Sequence, residues 1–121
     1  YSGDDICSDM EMPVRLGQGP TIKIKDQSVI CSPIAIDHMK KAAEAAGVKY
    51  QNEIITAGGT DTAAIMHTGK GAFAGCMSIP GRNIHSPCKC SGTNIRDFGA
   101  GTERIEEEGA RLLAACAETT L

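Results

Sequence analysis

From Thr21 onward the hydrophobic period of the chain switches repeatedly, and this restricts it to layers of strands and helices. Ile22 and Ile24 alternate with Lys23 and Lys25, the period of a half-exposed strand over Thr21–Lys25. Ser32 before Pro33 is a helix-start signal, because the serine oxygen can cap orphan amides and proline suits the first helical position. Ile36, Met39, Ala43 and Ala46 then follow at helical spacing, and Gly47 suits the left-handed position that closes a helix. Strand character returns over residues 50–56, and Thr60 and Asp61 can cap a second helix running to about Thr68, ended by Gly69 and Gly71. Residues 72–79 form an apolar run without polar alternation, which predicts a buried central strand stopped by Pro80. From about Asp97 a last amphipathic helix places Ile105, Gly109, Leu112 and Cys116 at spacings of four, three and four. The order strand, helix, strand, helix, strand, helix predicts an α/β fold with helices on both faces of a mainly parallel sheet.

Residues 1–20 carry Pro13, Pro20 and three glycines without a core face, and read as a connecting segment into the first strand. Residues 21–121 form the folded portion. The chain has 41% hydrophobic and 22% charged residues, a composition that indicates neither a disordered tail nor a fibrous repeat. Its formal net charge is −3, and its lysines are interleaved with apolar and acidic neighbours, which argues against a nucleic-acid partner. No apolar run approaches the length of a membrane span, and residues 1–5 have neither a basic nor an apolar leader region, so the expectation is a cytoplasmic protein without a membrane partner. Of six cysteines, Cys31, Cys76 and Cys116 sit in apolar segments, and buried reduced thiols are the better reading. The chain opens on Tyr1 rather than Met, which suggests a piece of a longer protein.

Three groups of residues could carry chemistry. Gly58, Gly59, Thr60 and Asp61 form a turn that opens a helix. Taken alone it is an ordinary cap, but its free amides could also bind a substrate carbonyl or carboxylate, and Asp61 could hold an amine. His85 follows the predicted central strand, the end at which open α/β sheets place their sites, although by spacing alone it reads as a loop histidine. His38 and His67 read as polar positions on helices. Cys88 and Cys90, close behind His85, could belong to a small zinc site, but a second close pair is missing.

One segment is more specific than any of these features. GGTDTAAI followed by GCMSIPGRNIHSP resembles the paired signature of the M42 aminopeptidases, the glutamyl aminopeptidase or cellulase M family. LGQGPTIKIKD upstream and NIRDFGAGTERIEEE downstream match that family in order and spacing, so the resemblance covers nearly the whole chain. It implies the C-terminal part of a zinc-peptidase-like catalytic domain with a three-layer sheet, acting on peptides and assembling into homo-oligomers. It also implies two divalent metal ions, zinc or cobalt, bridged by a carboxylate, with a separate glutamate as general base. One ion polarises the peptide carbonyl while the pKa of the bridging water falls from about 16 toward about 7. Of the ligands, only the histidine of the Ile-His-Ser-Pro motif falls in this sequence, as His85, so the chain alone is expected to be inactive. The resemblance places residues 58–61 near the substrate pocket. Cys88, Lys89 and Cys90 depart from the family pattern, where acidic or apolar residues are more usual. A non-catalytic assembly or regulatory domain that kept the fold is the alternative. A glucanase activity is discounted, because no pair of carboxylates facing one bond is recognisable.

Overall fold

The computed structural model describes the backbone at residues 2–3, 14–56, 58–82, 90–91 and 100–118, and the side chains of residues 14–56, 58–81 and 107–118. Within these residues the chain forms β1 (Ser2–Gly3), β2 (Thr21–Lys25), α1 (Pro33–Ala46), β3 (Gln51–Ile54), α2 (Thr62–Met66), β4 (Met77–Ser78), β5 (Pro80–Arg82), β6 (Cys90–Ser91) and α3 (Ala100–Glu118). One sheet has the order β3-β2-β4, with β3 parallel and β4 antiparallel to β2. The other has the order β1-β5-β6. The sheets are therefore mixed, and β2 is the central strand of the first.

The start and stop signals of α1 come from its local sequence. Pro33 fixes the backbone of the first turn, and Gly47 closes the helix at φ 65°, where a side chain would be strained. The Ser32 side chain makes no capping hydrogen bond, contrary to the expectation; its carbonyl accepts from the Ile36 amide at 3.0 Å. At the other end of α1, the Arg111 guanidinium of α3 donates to the Ala46 carbonyl at 2.9 Å, answering an orphan acceptor of the last turn.

The core lies on one face of β2. Ile22, Ala42, Ala43, Val48 and Leu112 form one buried cluster, with Ile36, Met39, Met77 and Cys116 packed around it. The two alanines of α1 leave room for Leu112, which brings α3 onto α1, and full burial of Leu112 and Ile22 contributes about 2–3 kcal/mol each. His38 reinforces the pairing from the rim, its Nε2 lying 3.0 Å from the Cys116 carbonyl. Both long helices thus share the Ile22 side of β2.

Two further expectations are corrected. Residues 72–79 are not a buried central strand: only Met77–Ser78 is strand, at the edge of its sheet, and Phe73 is 67% exposed. Before it Ala74 is buried and Gly75 lies against α1, so close that a Cβ on Gly75 would stand 2.8 Å from Met39 Sδ and 3.2 Å from the Ala35 Cβ. The connecting segment is also less inert than its composition suggests. Val14 and Pro20 are buried, and the Gln51 side-chain amide donates to the carbonyls of Arg15 at 2.8 Å and Gly19 at 2.9 Å, fixing the entry into β2.

Candidate functional site

On the face of β2 away from the helices the sheet buries polar groups. Lys23, expected on an exposed face, is 1% exposed, and its ammonium lies 3.1 Å from Glu53 Oε1 and 3.3 Å from Asp26 Oδ2. Glu53 is fully buried and also accepts the Thr21 hydroxyl at 2.8 Å. One ammonium between two carboxyl groups, with every polar tip bonded, makes burial of these charges tolerable. Glu53 reaches Lys23 because β3 runs beside β2 in register, pairing Lys23 with Glu53. The signal in the sequence was slight: an acid in the middle of a strand segment and an aspartate three residues after a lysine.

Asp26 joins this buried group to the turn of residues 58–61. Its Oδ1 accepts the Ser28 amide at 2.7 Å, the Ser28 hydroxyl at 2.8 Å and the Val29 amide at 2.9 Å, forming an Asx turn at the end of β2. Its Oδ2 accepts the Thr60 hydroxyl at 3.1 Å as well as Lys23. Burial disfavours the ionised carboxyl, but the Ser28, Thr60 and Lys23 hydrogen bonds outweigh it and hold the pKa down at about 2. For Lys23, burial disfavours the charged form, yet Glu53 and Asp26 together raise the pKa above its ordinary value.

The turn itself is spent on these contacts. The Gly58 amide donates to Gln27 Oε1 at 3.2 Å while the Gly58 carbonyl accepts the Gln27 amide at 3.1 Å, and the Thr60 amide donates to Ser28 Oγ at 3.3 Å. Gly58 has φ 82°, and a Cβ on Gly59 would stand 2.8 Å from Ser28 Oγ, so both glycines answer to geometry. Asp61 opens α2 in right-handed helical conformation without a side-chain cap, contrary to the expected capping role, and its side chain is exposed. The donors available to a substrate at this turn are therefore fewer than its sequence suggests: the amides of Gly58 and Thr60 are occupied, and so is the Thr60 hydroxyl.

β2 and β3 both run toward residues 58–61, whereas β4 runs back, with Ser78 beside Thr21. The chain thus leaves β4 toward β5 at the end of the sheet opposite the turn. His85 and Cys88 lie outside the described residues, as does the Cys90 side chain. Among the described residues no three His, Cys, Asp or Glu side chains converge as a metal group, and the carboxyl groups of Asp26 and Glu53 already share Lys23. Of the other histidines, His38 ties α1 to α3 and His67 is exposed at the end of α2. Among the described residues no helix is long and apolar enough to cross a membrane.

The M42 glutamyl aminopeptidase family matches residues 2–102. The "Putative aminopeptidase" of Acetivibrio thermocellus is 45% identical over 76 residues, covering 63% of this chain and 23% of its own length. Among solved structures, PhTET1-12s, a dodecamer in its asymmetric unit, superposes with a TM-score of 0.74 at 26% identity over 95% of this chain and 31% of its own. Aminopeptidase APDkam598 from the archaeon Desulfurococcus kamchatkensis gives a TM-score of 0.67 at 29% identity over 96% of this chain and 34% of its own. The chain spans about a quarter to a third of the length of these relatives. The match over most of the sequence, the shared α/β fold and the motif order agree, and the chain belongs to the M42 glutamyl aminopeptidase family.

Proposed function

We propose that this chain is the C-terminal part of the catalytic domain of a metal-dependent aminopeptidase, which releases N-terminal residues from peptides, and that it does not catalyse alone. The family match over residues 2–102 carries this reading, and two of the relatives are themselves named as aminopeptidases. M42 peptidases are metal-dependent in general, and in this reading His85 is one ligand of a pair of divalent ions, zinc or cobalt. One imidazole does not make a catalytic site, which takes about three protein ligands, so the remaining ligands come from elsewhere in the protein. Asp61 is the member of the 58–61 turn whose side chain is free to meet a peptide, while Thr60 braces the turn against Asp26. Assembly into a homo-oligomer follows the dodecamer of PhTET1-12s, and a cytoplasmic location follows the sequence reading.

The test compares two proteins: the 121-residue chain, and a version extended at its N-terminus to the full length of the M42 relatives. Each is incubated with aminoacyl chromogenic substrates across a range of zinc, cobalt and manganese concentrations. The extended protein should release the N-terminal amino acid and the 121-residue chain should not. Activity in the 121-residue chain would sink the claim that it is incomplete, and inactivity of the extended protein with every metal would sink the peptidase assignment.

A further inference from the structure

Two of the six cysteines meet at the edge of β2, apart from the peptidase motifs. The register of β2 against β3 slips between Lys23 and Lys25, and this bulge turns the Ile24 carbonyl toward the side on which the Lys23 amide already lies. The Lys23 amide donates to the Cys76 carbonyl at 2.9 Å and the Cys31 amide donates to the Ile24 carbonyl at 3.0 Å, so both cysteines pair with consecutive residues of β2. The segments carrying them are also bonded to each other, through the Ser32 amide and the Ala74 carbonyl at 3.1 Å. In addition, the Cys76 backbone amide faces the Cys31 sulfur. Cys31 and Cys76 thus stand against neighbouring residues of one strand, and a disulfide spans about 4.4 to 6.8 Å between Cα atoms.

Both sulfurs are free, Cys31 being 1% exposed and Cys76 half-buried. We propose that Cys31 and Cys76 form a reversible disulfide pair, closed by a peroxide and opened by a dithiol. Exposure sets the order of events. Peroxide reaches Cys76, whose thiolate sulfur takes one peroxide oxygen to become a sulfenic acid while the O–O bond breaks and hydroxide leaves. The Cys31 sulfur then attacks the Cys76 sulfur, the S–O bond breaks and water departs with the Cys31 proton. In sum two thiols and one peroxide give one disulfide and two waters. Burial pushes the Cys31 thiol pKa up, which leaves the first encounter with the oxidant to Cys76. The bond would tie the lead-in of α1 to the lead-in of β4.

The 121-residue chain is treated with hydrogen peroxide, its free thiols are blocked with iodoacetamide, and it is digested without reduction for mass spectrometry. A Cys31–Cys76 cross-linked peptide should appear, about 2 Da below the sum of its two reduced parts, and dithiothreitol should remove it. In Cys31→Ser, Cys76 should instead accumulate as a sulfenic acid trapped by dimedone. Recovery of both cysteines as alkylated thiols at peroxide levels that consume the other four, or a cross-link from Cys76 to any other cysteine, overturns the proposal.

Discussion

Thr60 donates its hydroxyl to Asp26 Oδ2 at 3.1 Å, and through this bond a turn in the family's signature is anchored to a buried lysine. The two residues are unequal partners. Thr60→Val removes one hydrogen bond and should cost about 1 kcal/mol. Asp26→Ala leaves the Ser28 and Val29 amides unanswered and Lys23 with a single partner, and should cost about 3 kcal/mol or more. Urea unfolding of the two variants measures the difference, and equal losses would remove Asp26 from its place as the hub.

The same carboxylate makes stability depend on acid. Its folded pKa, about 2, lies below the ordinary value of 3.8, so folding favours the ionised form. That contribution, about 2 kcal/mol, is fully present above about pH 4 and is lost as pH falls through 2. The stability gap between the wild-type chain and Asp26→Asn should therefore be wide at pH 5 and narrow steadily toward pH 2. A gap independent of pH would mean that the carboxylate is not held by these bonds.

Lys23 and Glu53 should behave as a coupled pair. Lys23→Met leaves two buried carboxyl groups without their cation and should cost about 3–5 kcal/mol, whereas Lys23→Met combined with Glu53→Gln should recover part of the loss. Because the Lys23 pKa is raised, its stabilising share is complete below the ordinary value of 10.5 and fades as pH rises through the folded value. A double-mutant cycle by denaturant unfolding measures the coupling, and strictly additive losses would contradict it.

Gly19 and Gly47 both have positive φ but differ in their surroundings. A Cβ on Gly19, at φ 87°, would run into the Lys49 carbonyl, while one on Gly47, at φ 65°, meets open space. Gly47→Ala should cost about 1 kcal/mol, the left-handed penalty alone. Gly19→Ala should cost clearly more, because backbone must also move, and thermal unfolding of the two variants ranks them.

What was legible in the sequence was local. Ser32, Pro33 and Gly47 mark the ends of α1 to within a residue, and the Ile22 and Ile24 alternation finds β2, because the causes lie within a few positions of each other. What was not legible depends on partners far along the chain. Lys23 reads as exposed until Glu53, thirty residues away, is set beside it. The apolar run of residues 72–79 reads as a central strand, since nothing in its composition reveals that Gly75 lies against Met39 and Ala35 of α1. The signature turn was found by its motif, but that its amides and hydroxyl are engaged by Gln27, Ser28 and Asp26 is a tertiary fact.

The most direct test of the central claim is the metal content of a His85→Ala variant in the full-length protein. Elemental analysis of the dialysed protein, read beside circular dichroism, should show one divalent ion fewer per active site than the unaltered protein, with peptidase activity greatly reduced and the fold intact. Unchanged metal content together with full activity would contradict the assignment of His85 as a ligand.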